Sequence, residues 1–347
     1  MRSERPLGVA GAILGGLALA TILAWPQPGL HGWLAATVVL SSVPAGALCL
    51  LMMMRLIPGA WGEELRVACE AGTLLTPLAA AAFLPVLASV AAIYPWASPL
   101  FHPTSAFQAA WLSPGSFALR TFLWFAMLGG LAGAMLGRRS QTLVACIGLV
   151  LFPLVGSAVA VDWLMSLDPG FASSGFGLQV LSIELTVAFA ALLILRLTMP
   201  PPPRRLGVLG GLLLTLLLIW AYLQFLPFVI TWSGNLPSGV GWYALRATEA
   251  WRIILWVAAA LGGIPLVLLL FPKPRAGRSW LLWLSAAVLA GMATEVAWYA
   301  LPPLGWRAGL SFLLALASFG CLAAGGLRLA FERRVRMRAP TPREVPA

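Results

Sequence analysis

Runs of about 20 apolar residues recur along the whole chain and constrain its fold more than any other feature. A transmembrane helix needs roughly 20 such residues to cross about 30 Å of hydrocarbon. We predict an all-α integral membrane protein in one polytopic domain, 1–347, with ten transmembrane helices. These helices, called spans 1 to 10 in chain order, are predicted at approximately 7–25, 33–55, 70–94, 116–136, 141–163, 178–198, 206–230, 249–271, 278–299 and 307–331.

The overall composition supports a membrane environment. Hydrophobic residues make up 61% of the chain and charged residues only 10%, whereas apolar residues make up roughly 45–50% of an ordinary soluble domain. A net charge of +11 would suggest nucleic-acid binding in a soluble protein, but basic residues near span ends serve to orient membrane helices. We therefore predict the lipid bilayer as a partner and no nucleic acid.

The 22 basic residues are distributed unequally between the two sides of the predicted membrane. Only Arg120, Arg246, Arg252 and Arg307 fall on one side, and the remainder lie in the termini and the even-numbered connections. Because basic segments stay in the cytoplasm, both termini are predicted to be cytoplasmic. The Trp-, Pro- and Gly-rich segments 95–115 and 231–247 are then outer connections.

Residue types that bind redox metals or nucleotides are sparse. His31 and His102 both fall in predicted outer connections, so a haem ligated by histidines within the membrane is not expected. No phosphate-binding G-x-x-x-x-G-K-[ST] loop occurs, and two loop histidines do not support a Ser/His/Asp hydrolase. No C-x-x-C metal motif occurs either, and we predict no metal or cofactor in this chain. The four cysteines are isolated and are expected to be buried: Cys49, Cys69, Cys146 and Cys321.

Acidic residues concentrate at the outer ends of the predicted spans. Asp162 and Asp168, in the stretch VDWLMSLDPGFASSG, close span 5. Glu184 lies roughly two turns inside span 6, and Glu295 lies about one turn inside span 9. An acid inside a span costs on the order of 3 kcal/mol unless it is paired, protonated or in contact with water. We therefore predict a functional role for Glu184 and Glu295 and treat all four acids as candidates for a proton pathway.

Glu249 and Arg252 open span 8 at i,i+3 spacing and complete the candidate proton-pathway set. Their spacing also suits an ion pair on the helix surface, as does the i,i+4 spacing of Arg66 and Glu70. The two aspartates have structural alternatives as well. Asp168, which precedes Pro169-Gly170, suits turn capping. Asp162, at the helix end, suits contact with lipid headgroups. These alternatives stay open at the level of sequence.

Two stretches carry a family resemblance. The first is VDWLMSLDP followed by Ser173, Ser174 and Gly177, and the second has its polar, Pro and aromatic positions at Gln224, Trp232, Asn235, Pro237, Trp242 and Tyr243. Together with the ten spans, they resemble the ActF-type membrane subunits of bacterial alternative complex III, in the NrfD-like (PsrC-like) superfamily. Interfacial anchoring alone also accounts for the Trp and Tyr positions.

The resemblance implies two side-by-side four-helix bundles, spans 2–5 (33–163) and spans 6–9 (178–299), with spans 1 and 10 peripheral. It implies a quinol-oxidising complex of the bacterial inner membrane, in which quinol or quinone binds. It also implies iron–sulfur, multihaem cytochrome c and other NrfD-like subunits as partners. This chain would then be an accessory or quinone-site subunit without a metal centre, with a proton half-channel running from Asp162 and Asp168 to Glu184.

Two other classes of protein remain open. In a secondary transporter, intramembrane acids couple substrate to ions at a midplane site. Against this class, the acids lie near one face and no pair of broken midspan helices is evident in the sequence. In a structural membrane anchor, the acids would be paired with the arginines on the outer side.

Overall fold

The computed structural model describes residues 5–137, 142–235 and 237–338. Within these ranges the chain is all-α, and ten helices are long and apolar enough to cross a membrane, which confirms the predicted fold class. Four basic residues of the predicted cytoplasmic side, Arg2, Arg138, Arg139 and Arg343, lie outside the described residues. Spans 1 to 10 are Pro6–Ala24, Pro26–Leu56, Ala60–Ala88, Pro114–Leu136, Thr142–Leu167, Phe176–Thr198, Leu206–Gly234, Glu249–Leu269, Arg278–Ala300 and Gly305–Arg338.

The connections between spans gather at the two ends of the molecule. At one end, the connection after span 3 contacts the end of span 5, where the Tyr94 hydroxyl donates to the Trp163 carbonyl oxygen at 3.1 Å. We call this end, where spans 5 and 6 are joined, the Asp168 end. The opposite end, where span 3 begins and span 6 finishes, is called the Glu64 end.

Span 2 lies at the centre of the molecule, and every residue from 29 to 52 in it is buried. It packs against spans 1, 3, 4, 5, 6, 9 and 10. Small residues allow this close approach. A Cβ at Gly32, for example, would lie 2.5 Å from the Ala308 carbonyl oxygen of span 10. Substitution of Gly32 therefore requires spans 2 and 10 to separate.

Further contacts link the other spans, some of them distant in the chain. Span 4 packs on span 5, span 6 on spans 5, 7 and 9, and span 8 on span 9. Span 10 also packs against spans 1 and 3. The contacts of span 10 with three other spans were not anticipated from the sequence, and the two-bundle arrangement stays a prediction.

Span 3 is divided by two short turns, although no broken midspan helix was evident in the sequence. It consists of Ala60–Thr73, Thr76–Ala82 and Leu84–Ala88. Pro77 and Pro85 follow the two breaks, because proline lacks the N–H that would continue the helical hydrogen bonds. At the second break, the Ala82 carbonyl oxygen accepts a hydrogen bond from Trp33 Nε1 of span 2 at 2.8 Å. A neighbouring helix thus satisfies a backbone group freed inside the membrane.

Two other expectations need correction. Span 2 begins seven residues earlier than predicted, so His31 is buried within it and does not lie in an outer connection. Pro26 is suited to this helix start because the first helical position needs no N–H donor. Of the four cysteines, Cys49 and Cys69 are buried as expected, whereas Cys146 is exposed and Cys321 is half-buried.

Candidate functional site

Glu184 lies inside span 6, eight residues after Phe176 and so about 12 Å along the helix axis. Glu184 is only 4% exposed. The Oε2 atom has no hydrogen-bond partner among the described residues. The Glu184 backbone also faces Gly46 of the central span 2. A buried carboxyl group in this state is stable only when it is protonated or in contact with water.

Five side chains from spans 6, 7 and 9 lie in a second polar region, which we call the polar cluster: Gln179, Trp220, Gln224, Glu295 and Tyr299. Gln179 Nε2 donates to Gln224 Oε1 at 3.0 Å, and the Tyr299 hydroxyl donates to the same oxygen at 2.7 Å. Glu295, one turn before Tyr299, accepts a hydrogen bond from Trp220 Nε1 at 2.7 Å. The cluster joins three spans and gives Glu295 a partner that Glu184 lacks.

The polar cluster was only partly predicted. Glu295 was a candidate for the proton pathway, and Gln224 was predicted inside span 7 as the first residue of the second motif; that helix continues to Gly234, beyond its predicted end at 230. Gln179, Trp220 and Tyr299 were not identified as candidates. Two signals were present in the sequence, namely an amide inside the apolar run of span 6 and a tyrosine four residues after Glu295, on the same helix face.

Asp162 forms a buried ion pair with Arg120. Arg120 Nε lies 2.5 Å from Asp162 Oδ2 and Nη2 lies 2.9 Å from Oδ1, a bidentate arrangement. The Asp162 side chain is 1% exposed. Arg120 also donates to the Trp111 carbonyl oxygen at 2.7 Å. Asp162 therefore does not extend to headgroups, and the pairing proposed for a structural anchor holds for this acid.

The other acids of the candidate set lie nearer the surface. Asp168 is half-buried, and its Oδ1 accepts the Gly170 N–H at 3.2 Å, as the turn-capping alternative predicts. Glu249 and Arg252 are exposed, and no ion pair joins them in the described part of the chain. The helix-surface ion pair that their spacing left open is therefore not formed among the described residues. Likewise, Glu70 is paired with Arg338 of span 10 and not with Arg66.

Arg246 is a buried cation beside the polar cluster, and it is held by carbonyl groups. It is 6% exposed and donates to the carbonyl oxygens of Trp242 at 2.9 Å, Trp298 at 3.2 Å and Tyr299 at 2.8 Å. Its guanidinium lies 3.7 Å from the centre of the Trp242 ring. Burial lowers the pKa of Arg246 to about 10, and the nearby Asp168 charge opposes this shift. The guanidinium is therefore charged at neutral pH. Its hydrogen bonds anchor the connection that follows span 7 onto span 9.

The residues of the second motif have separate positions. Trp232 is exposed within the last turns of span 7, and Asn235 ends that helix in the left-handed conformation, with φ 43°. Pro237 begins a short helix, Pro237–Ala244, that carries buried Trp242 and half-buried Tyr243. Burial raises the pKa of Tyr243. Gln224 is thus a member of the polar cluster, and Trp242 contacts its neighbour Arg246. The other residues of the motif belong to the end of span 7 and the connection that follows it.

The Glu64 end has an acid that sequence reasoning missed. Glu64 Oε2 lies 3.1 Å from Arg196 Nη2, and Arg196 Nε donates to the Glu64 carbonyl oxygen at 2.8 Å. Glu64 Oε1 accepts the backbone N–H groups of Arg204 at 2.9 Å and Arg205 at 3.2 Å. The carboxylate is fully engaged in joining span 3 to span 6 and the connection that follows.

Comparisons with known proteins assign no family to this chain. No protein-family model matches it, and no curated protein sequence matches it. The resemblance to ActF-type subunits therefore stays a prediction that rests on the two motifs.

Proposed function

We propose that this chain is a proton-conducting membrane subunit of a quinol-oxidising respiratory complex in a bacterial inner membrane. The observation that carries the proton role is Glu184, a buried carboxyl inside span 6 with one oxygen unpartnered in the described structure. A carboxyl group in that setting gains or loses a proton far more readily when water reaches it than when it faces only hydrocarbon. Glu184 is therefore assigned as the proton-exchanging group.

The proposed route opens at the Asp168 end. Asp168 is half-buried there, and the polar cluster provides further hydrogen-bonding groups between spans 6, 7 and 9. Asp162, already paired with Arg120, is proposed to set the charge at this mouth and not to carry the proton. Electrons and quinol are assigned to partner subunits, which on the ActF-type resemblance are iron–sulfur, multihaem cytochrome c and other membrane subunits.

The side chains at the Glu64 end favour a half-channel over a complete path. Glu64 and Glu70 both form ion pairs. The hydroxyl of Thr73 donates to the Glu70 carbonyl oxygen at 2.9 Å, and that of Thr76 donates to the Thr73 carbonyl oxygen at 2.7 Å. These threonines satisfy groups of their own helix, so they offer no continuous line of free hydroxyls toward Glu184.

The test is Glu184→Gln in the complete complex, with assembly, quinol oxidation and proton release measured together. The amide keeps the size of the side chain but does not titrate, so we expect normal assembly with proton release reduced by at least about tenfold. Glu63→Gln is the matched control, because the same change is made at an acid whose side chain is 75% exposed and which lies outside the candidate proton pathway. Normal assembly, oxidation and proton release in Glu184→Gln would remove Glu184 from the mechanism.

A secondary transporter is the second candidate, because a buried acid inside a span, such as Glu184, is also the group that couples substrate to protons in that class. Purification from the native membrane separates the two proposals. Co-purification with iron–sulfur and cytochrome subunits, and no quinol oxidation by the isolated chain, supports the respiratory proposal. Solute uptake driven by a pH gradient in vesicles containing only this chain, abolished by Glu184→Gln, would support the transporter.

A further inference from the structure

An apolar groove of about 440 Å³ lies between spans 2, 6, 9 and 10. Its walls are formed almost entirely by aliphatic side chains, such as Val43 of span 2, Val187 of span 6 and Ala293 of span 9, together with Phe319 of span 10. The groove lies apart from the polar cluster, none of whose residues lines it.

The groove has one polar end. On span 6 it extends from Val187 to Thr198, and on span 10 from Leu316 to Arg328. These distances correspond to about 16 and 18 Å along the helix axes. One leaflet contributes about half of the roughly 30 Å of hydrocarbon in a bilayer. The groove therefore matches the length of a single leaflet, with Thr198 and Arg328 at the Glu64 end.

The polar end offers a positive charge. Arg328 is exposed and forms no ion pair in the described part of the chain. By contrast, Arg196 and Arg338 at the same end are paired with glutamates. The Thr198 hydroxyl already donates to carbonyl oxygens of its own helix, at 2.9 Å to Ile194. A ligand at this end thus meets a cation and not a set of free neutral donors.

We propose that the groove binds one acyl chain of an anionic phospholipid whose phosphate pairs with Arg328. A transmembrane helix is too large for it, since a cylinder about 10 Å across and 16 Å long occupies more than ~1,000 Å³. A quinone tail also fits the apolar part, but a neutral quinone head offers Arg328 a hydrogen-bond acceptor without a counter-charge, whereas a phosphate offers both. The lipid closes the gap between span 10 and spans 6 and 9, and it contacts the central span 2.

The experiment uses the purified full-length chain and native mass spectrometry with added phosphatidylglycerol or phosphatidylethanolamine. We expect one tightly retained phosphatidylglycerol. Arg328→Gln should weaken its retention about fivefold relative to phosphatidylethanolamine, and Arg328→Lys should keep the preference. Arg333→Gln, which removes an exposed charge elsewhere on span 10, is the charge control.

A second pair of variants tests the groove itself. A Cβ at Gly320 meets no atom within 4 Å, and Gly320 lines the groove, so Gly320→Leu places a branched side chain at the groove wall. Gly309 is equally unobstructed but lies elsewhere on span 10, which makes Gly309→Leu the matched control. Only Gly320→Leu should lose the lipid. Equal retention in both variants, equal effects of Arg328→Gln and Arg333→Gln, or displacement of the lipid by menaquinone independently of Arg328, would overturn the proposal.

Discussion

Removal of the Arg120 guanidinium tests whether the Asp162 ion pair holds spans 4 and 5 together. In Arg120→Gln, the Asp162 carboxylate loses both charge-assisted hydrogen bonds while remaining only 1% exposed. Leaving one partner of a buried pair uncompensated costs about 3–5 kcal/mol of unfolding free energy. Asp162→Asn should cost less, about 1–2 kcal/mol, because Arg120 is 19% exposed and keeps its bond to the Trp111 carbonyl oxygen.

The double variant Arg120→Gln/Asp162→Asn decides between pairing and unrelated effects. Without a buried charge, the two amides can hydrogen-bond, so the double variant should be more stable than Arg120→Gln alone. We expect a coupling energy of about 2–3 kcal/mol. The measurement is the free energy of unfolding from titration with sodium dodecyl sulfate in mixed micelles. If the two single losses simply add in the double variant, the pair does not contribute as argued.

Two further predictions concern the other buried charges. Glu64→Gln leaves Arg196 without its carboxylate and should lower the unfolding free energy by about 3 kcal/mol, whereas Glu63→Gln, at a side chain 75% exposed, should cost less than about 0.5 kcal/mol; similar losses would contradict the assignment. Arg246 has a lowered pKa of about 10, so the unfolded state binds more protons than the folded state only above about pH 10, and only there does this group make the unfolding free energy rise with pH. The stability difference between the wild type and Arg246→Gln should therefore be constant from pH 6 to 9, and a change across that range would refute this picture.

The ten spans were predictable because they depend on local composition, but their partners were not. Pro6–Ala24 and Pro26–Leu56 are almost equally apolar, yet most of the first helix is not buried whereas every residue from 29 to 52 of the second is. Lipid is as apolar as a neighbouring helix, so an apolar sequence does not distinguish the two surroundings.

The candidate site shows the same division. The depth of Glu184 and Glu295 followed from counting residues inside predicted spans, and both are buried. The pairing of Asp162 with Arg120, and of Glu64 with Arg196, depends on which helix faces contact each other across 42 and 132 residues of sequence. No periodicity within one span encodes that contact, so only the folded structure identifies these partners.

The contact between spans 2 and 10 places a demand on biosynthesis. The Ser311 hydroxyl donates to the Gly29 carbonyl oxygen at 2.8 Å, across 282 residues. At about 5–20 residues per second, a ribosome needs roughly 14–56 s to make that intervening chain. During this interval lipid covers the face of span 2 that span 10 later occupies, at little energetic cost because both surroundings are apolar. Span 10, which is made after spans 1 to 9, therefore completes the surroundings of span 2. We expect a chain stopped before residue 305 to insert its helices but to leave this face of span 2 open to lipid.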